Sequence, residues 1–203
     1  TTLTHYSISK TSMARRLLVL LATGLLTLVL GMAATASADS NPSAARQQHF
    51  IAQAKSAGLT SAQASALQAK ADRYLAKNGG TQIAANRIRQ RDGHSVLTLA
   101  VPGEKYARDL GRTTVITPQQ SCPYTYICVY SRESYGGDVV SAFFCNRDVF
   151  VPFVGNGSYI NNQTPGTVAE FKNSSHGHYS WTRGAYSAVA SIYVTPIYYV
   201  DAC

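Results

Sequence analysis

The sequence lacks the short motifs that name a chemistry. It holds no H-E-x-x-H, no P-loop and no dinucleotide glycine pattern. It has no Gly-x-Ser-x-Gly elbow to raise a serine nucleophile. Zinc-hydrolase, nucleotide-binding and α/β-hydrolase readings are therefore left without their carriers. Acidic residues are scarce, ten Asp and Glu against 18 Lys and Arg. Cysteine is missing from the first 121 positions, and Trp181 is the only tryptophan. No repeat of strong identity with a 20–50-residue period is visible, though two related halves of about 40 residues would fit the number of short strands suggested in the second half.

What is present begins with an export signal. Met13-Ala-Arg15-Arg16 is a basic start, residues 17–32 are almost wholly apolar, and small residues end in Ala36-Ser37-Ala38. A charged start, an apolar stretch and an A-x-A site are the parts of a secretory leader. The apolar run is short of the roughly 20 residues a membrane span needs. Removal of residues 1–38 by cleavage near Ala38 is expected, with the rest secreted.

Residues 39–103 read as a small α+β segment. Asn41 caps a helix that Pro42 begins, and Phe50, Ile51 and Ala54 follow at helical spacing. Gly58 ends it. Thr60 and Gln63 resemble a capping box for a second helix, whose stripe is Leu67, Ala71, Tyr74 and Leu75. Strands are expected over 81–89 and 95–101, joined around Asp92-Gly93, and residues 104–120 read as linker. Residues 39–112 hold eleven Lys and Arg against five acids, and residues 113–203 hold four against five. The basic half suits an anionic wall polymer or an acidic partner face, or is simply a solvated face. Its charge and its lack of cysteine suggest a separable accessory, a propeptide or a wall-facing arm.

From residue 121 the chain reads as all-β. Ten of thirteen tyrosines, five of six phenylalanines and all four cysteines lie there. Strands are expected over 126–131, 138–144, 158–161, 167–171, 178–182, 188–194 and 197–201, with Gly, Asn, Ser and Pro clusters between them. Short strands at that spacing argue for a sandwich or a barrel-like Greek key.

Two motifs in this part carry a resemblance. Cys122-x5-Cys128 leads into Tyr130-x4-Tyr135-x-Gly137. The second is similar to the aromatic-to-glycine signature of βγ-crystallin Greek keys. There the aromatic lies over a folded hairpin and the glycine supplies the turn. Together they resemble the secreted actinobacterial proteins of peptidase inhibitor family I36. The resemblance covers residues 121–203 and implies a βγ-crystallin-like Greek key sandwich whose known member inhibits metalloproteases. It gives Tyr130, Tyr135 and Gly137 a structural role. One departure concerns the disulfides: the family has two short loops, and only Cys122-x5-Cys128 is short here. Four cysteines allow three pairings. The expected one joins Cys122 to Cys128 and ties Cys145 to Cys203. Asn161-Asn162-Gln163-Thr164 begins like the family's calcium motif, but Pro165 and Gly166 replace its hydroxyl residues.

No metal, cofactor or catalytic residue is expected. His176 and His178 read as polar loop residues, since zinc needs further ligands. The resulting expectation is a secreted non-catalytic protein, an inhibitor of extracellular proteases. The alternatives are an envelope or polymer-binding module and an exported toxin or antimicrobial of βγ-crystallin type. Nucleic acid is not expected as a partner, nor is a membrane once the leader is gone. Contact is expected on loops such as 153–158 or 173–178, and the sequence leaves both open.

Overall fold

Local capping starts the fold. The computed structural model describes residues 42–111 and 122–203. The expected leader and most of the expected linker lie outside them. Helix α1 spans Pro42–Ser56 and α2 spans Ser61–Asn78. Gln63 N–H donates to Thr60 Oγ1 at 3.2 Å, and Thr60 N–H donates to Gln63 Oε1 at 3.1 Å. These two reciprocal bonds satisfy donors that a helix start leaves orphaned. α2 turns Ala64, Leu67 and Ala71 inward.

Among the described residues eleven short strands follow, all paired antiparallel. The first three are β1 (Thr81–Ala84), β2 (Arg87–Arg89) and β3 (Val96–Thr98). Then come β4 (Tyr126–Tyr130), β5 (Val139–Ala142), β6 (Val149–Phe150) and β7 (Asn156–Asn162). The last four are β8 (Glu170–Lys172), β9 (His178–Trp181), β10 (Ser187–Tyr193) and β11 (Tyr199–Asp201). The single strand expected over 81–89 is broken in two. The cause is tertiary: buried Asn86 donates from Nδ2 to the carbonyls of Leu99 at 2.9 Å and Arg108 at 2.7 Å. The Asp-Gly turn joins β2 to β3. There Asp92 Oδ1 accepts from His94 N–H at 2.8 Å and Ser95 N–H at 2.9 Å.

Seven strands form one sheet in the order β1-β2-β3-β5-β4-β7-β10, and four form another in the order β6-β11-β8-β9. From β4 onward the strands divide into two sets of four. In each set the fourth strand lies beside the first, and the third joins the sheet of the other set. Side chains alternate along β4, as a strand requires. Ile127 and Val129 enter the large core, while Cys128 and Tyr130 enter a smaller one on the opposite face.

The basic N-terminal segment does not stand apart. β3 pairs with β5, with Leu97 opposite Val140. One continuous cluster runs from Leu67 of α2 through Ile88 and Leu97 to Val129, Phe171 and Val200. Burying each such aliphatic side chain contributes about 1.5–3 kcal/mol. Residues 104–111 are also packed rather than linker-like. Ala107 and Leu110 are buried, Arg108 grips Glu104 at 2.9 and 3.0 Å, and Gly137 N–H donates to Lys105 O at 2.8 Å. The change in charge and helical grammar near residue 112 suggests an accessory with its own core. The pairing that overrides it spans more than 40 residues and leaves no local trace.

Cys122 is joined to Cys128 and Cys145 to Cys203. The first closes the loop before β4, and the second ties the end of the chain to the residues after β5. Among the described residues, no helix is long and apolar enough to cross a membrane.

Candidate binding cleft

The helical spacing of α2 places Lys70, Arg73, Tyr74, Lys77 and Asn78 on one face. That face lines a cleft of about 440 Å³. The opposite wall is the extended run from Phe150 to Val154 with Thr195, Ile197 and Tyr198, and Leu97 and Leu99 also line it. Pro152 favours an extended path for the residue before it. Val151 N–H donates to Tyr198 O at 2.9 Å and fixes that wall against the second sheet. Gly155 turns away at φ +86, with its N–H donated to Thr195 Oγ1 at 2.8 Å.

The walls differ in chemistry. Lys70 Nζ lies 2.5 Å from Asp138 Oδ1, and Asp138 Oδ1 also accepts from Ala100 N–H at 2.8 Å. Lys70 is thus neutralised at one end. Arg73 and Lys77 are exposed and make no ion pair among the described residues. Tyr74 is half-buried and donates to Gln90 Oε1 at 2.8 Å. Burial, and then the charge of Asp92, push its phenol up to about 12, so it is a hydrogen-bond donor and not a base. The facing wall is apolar, and Val154 at its lip is 76 % exposed.

A second polar cluster lies around Lys172. Its Nζ is 2.7 Å from Asp148 Oδ1, 3.4 Å from Asp201 Oδ2 and 3.6 Å from Glu170 Oε2. His176 Nδ1 lies 2.5 Å from Asp148 and His178 Nδ1 lies 2.9 Å from Glu170. Burial alone would raise the Asp148 carboxyl, but hydrogen bonds from Lys172 and His176 outweigh it and hold it below its ordinary range. The bond to Asp148 raises Lys172 against its own burial. The two histidines therefore serve different carboxylates. Among the described residues, no group of three His, Cys, Asp or Glu is arranged to hold a metal. The Asn161 amide is likewise engaged, donating to the carbonyls of Thr167 at 2.9 Å and Arg183 at 3.1 Å.

Tyr130, Tyr135 and Gly137 meet in one folded hairpin. Tyr130 is buried, and its ring stands edge-on to Tyr135 at 5.8 Å. Gly137 sits at φ +76, where a side chain is strained. Ser158 of β7 locks the hairpin, accepting from Tyr135 N–H at 2.9 Å and donating to Arg132 O at 2.7 Å. Of the two loops expected to make contact, residues 153 and 154 border the cleft. Residues 173–178 form a tight turn held by Asn173 Oδ1, which accepts from Ser175 and Gly177 at 2.9 and 3.0 Å. Elsewhere the rings of His94, Phe144, Phe143 and Tyr126 form a chain with centroid steps of 5.0, 5.0 and 5.3 Å.

The cation stripe on α2 and its apolar partner wall do not stand out in the sequence. A signal is there, in cations at positions 70, 73 and 77 flanking the apolar stripe, but nothing local says what faces them. No protein-family model, curated protein or solved structure matches the chain.

Proposed function

We propose that the chain is an exported, non-catalytic binding protein built on a βγ-crystallin-like pair of Greek keys, with inhibition of extracellular metalloproteases as its specific activity. The observation that carries this reading is the strand order. Two four-stranded sets, each with its fourth strand beside its first and its third strand lent to the other, are what interlocked Greek keys require. The aromatic-lidded hairpin of Tyr130, Tyr135 and Gly137 supports the same reading. Two disulfides suit an oxidising compartment and agree with the leader expected before Ala38. They also stiffen the scaffold, which lowers the entropy cost of binding.

A second reading, retention on an envelope polymer, is favoured by the chain of rings in which His94, Phe144 and Phe143 are exposed and Tyr126 is half-buried. Aromatic faces of this kind stack on sugar rings. An inhibition panel of secreted metallo- and serine proteases, run beside pull-down on purified cell walls, separates the two. Loss of metalloprotease activity supports the first reading. Retention on walls with every protease active supports the second and removes the first.

A further inference from the structure

We propose that the cleft between α2 and residues 150–154 binds an extended peptide segment whose acidic side chains meet Arg73 and Lys77 and whose apolar side chains meet the facing wall. The occupant follows from the two walls. Arg73 and Lys77 lie one turn apart and exposed, with no ion-pair partner among the described residues. Lys70, on the same stripe, is already held by Asp138 and the Ala100 carbonyl, so it closes one end of the cleft. Lys77 in the last turn of α2 is favoured there by the helix dipole. Arg73 stands a turn earlier and gains little from that effect.

Across the cleft, half-buried Phe150 and exposed Val154 and Tyr198 offer apolar surface, backed by Val151 and Phe153, which are themselves buried. A phosphate polymer would answer the cations and leave that wall wet. A wholly apolar segment would cover the wall and strip water from two unpaired charges, which is costly. A segment carrying acids on one side and apolar groups on the other satisfies both walls. Its extended form fits a further feature. Among the described residues β6 is the last strand of its sheet, and no strand lies beside its outer edge, where Gln90 Nε2 donates to Phe150 O at 3.2 Å; extended segments add to such edges. The cleft volume of about 440 Å³ lies within the range of working ligand sites. Nothing in this inference requires the partner to be a protease.

The test is panning of a random dodecapeptide phage library on the purified protein, with counter-selection on the R73E/K77E variant. Recovered peptides should alternate Asp or Glu with Phe, Leu or Ile. Fluorescein-labelled copies should bind R73E/K77E at least tenfold more weakly and Val154→Ser about threefold more weakly. Should R73E/K77E lose its thermal transition, R73Q/K77Q enters the same comparison. No enrichment, peptides without acids, or equal binding to parent and charge variant would each overturn the proposal. So would inorganic polyphosphate that displaces the peptides and binds Val154→Ser undiminished, which would make the cleft a polyanion site. The readout is independent of protease inhibition, so either result there leaves this test intact.

Discussion

Leu97→Ala tests whether the N-terminal segment and the β-rich part from residue 122 onward fold as one. Leu97 sits in β3 and is 1 % exposed. It lies opposite Ile88 on one side and Val140 on the other, so its side chain belongs to both halves of the chain. Truncating a fully buried leucine costs the transfer energy of the lost atoms plus a cavity, about 3 kcal/mol. At about 2–4 °C per kcal/mol for a domain of this size, the midpoint should fall by about 6–12 °C. Two probes report from opposite ends. The helical far-UV circular dichroism follows α1 and α2. The fluorescence of Trp181, the only tryptophan, follows β9 in the other sheet, where its ring lies 5.0 Å from His178. Both transitions should move together and remain coincident. A Trp181 transition that stays at the wild-type midpoint while the helical signal melts early would refute a shared core. It would return residues 39–112 to the status of a separable accessory.

Gly137→Ala forces a left-handed backbone at φ +76 onto a residue with a Cβ. That Cβ would crowd Ser131 Oγ and Arg132 Cγ, so a loss of at least about 1–2 kcal/mol is expected and an unchanged urea midpoint would contradict the hairpin account. Replacing Cys145 and Cys203 by serine should cost about 4 kcal/mol, and replacing Cys122 and Cys128 about 2, because the first pair closes the longer loop. Urea unfolding reads the order, and a reversed order would sink the chain-entropy reasoning. The Asp148–Lys172 pair sets two pH limits. The Asp148 carboxyl lies below its ordinary value of 3.8 when folded, so its contribution is whole above that value and is lost as pH falls through the folded one. The Lys172 ammonium lies above 10.5 when folded, so its contribution is whole below 10.5 and is lost as pH rises through the folded value. Asp148→Asn should therefore lower the melting temperature at neutral pH and flatten its fall on the acid side; identical profiles for variant and parent would rule this out.

Features set by neighbours along the chain are legible in the sequence. The Thr60–Gln63 box, the Gly58 stop at φ +89 and the Asp92-Gly93 turn each act within a few residues, and each is found where local chemistry puts it. The disulfide pairing agrees with the short spacing of Cys122 and Cys128, which leaves Cys145 and Cys203 to each other. Features set by distant partners are not legible there. β6 is two residues long and shows no period. The break at Asn86 depends on carbonyls 13 and 22 residues away. The pairing of β3 with β5 joins segments whose charge and composition differ, so the sequence reads as two units where the sheet is continuous. The cleft shares that difficulty. Its cations are visible on α2, but its apolar wall arrives from residues 150–154, which lie more than 70 positions later.

Inhibition by binding without turnover is tested most directly by titrating the purified protein against secreted metalloproteases while following its intact mass. Activity of at least one such protease should fall linearly to near zero at a fixed molar ratio, with the mass of the added protein unchanged after prolonged incubation. Full protease activity across the panel at micromolar excess, or inhibition that fades as the added protein is cleaved, would contradict it.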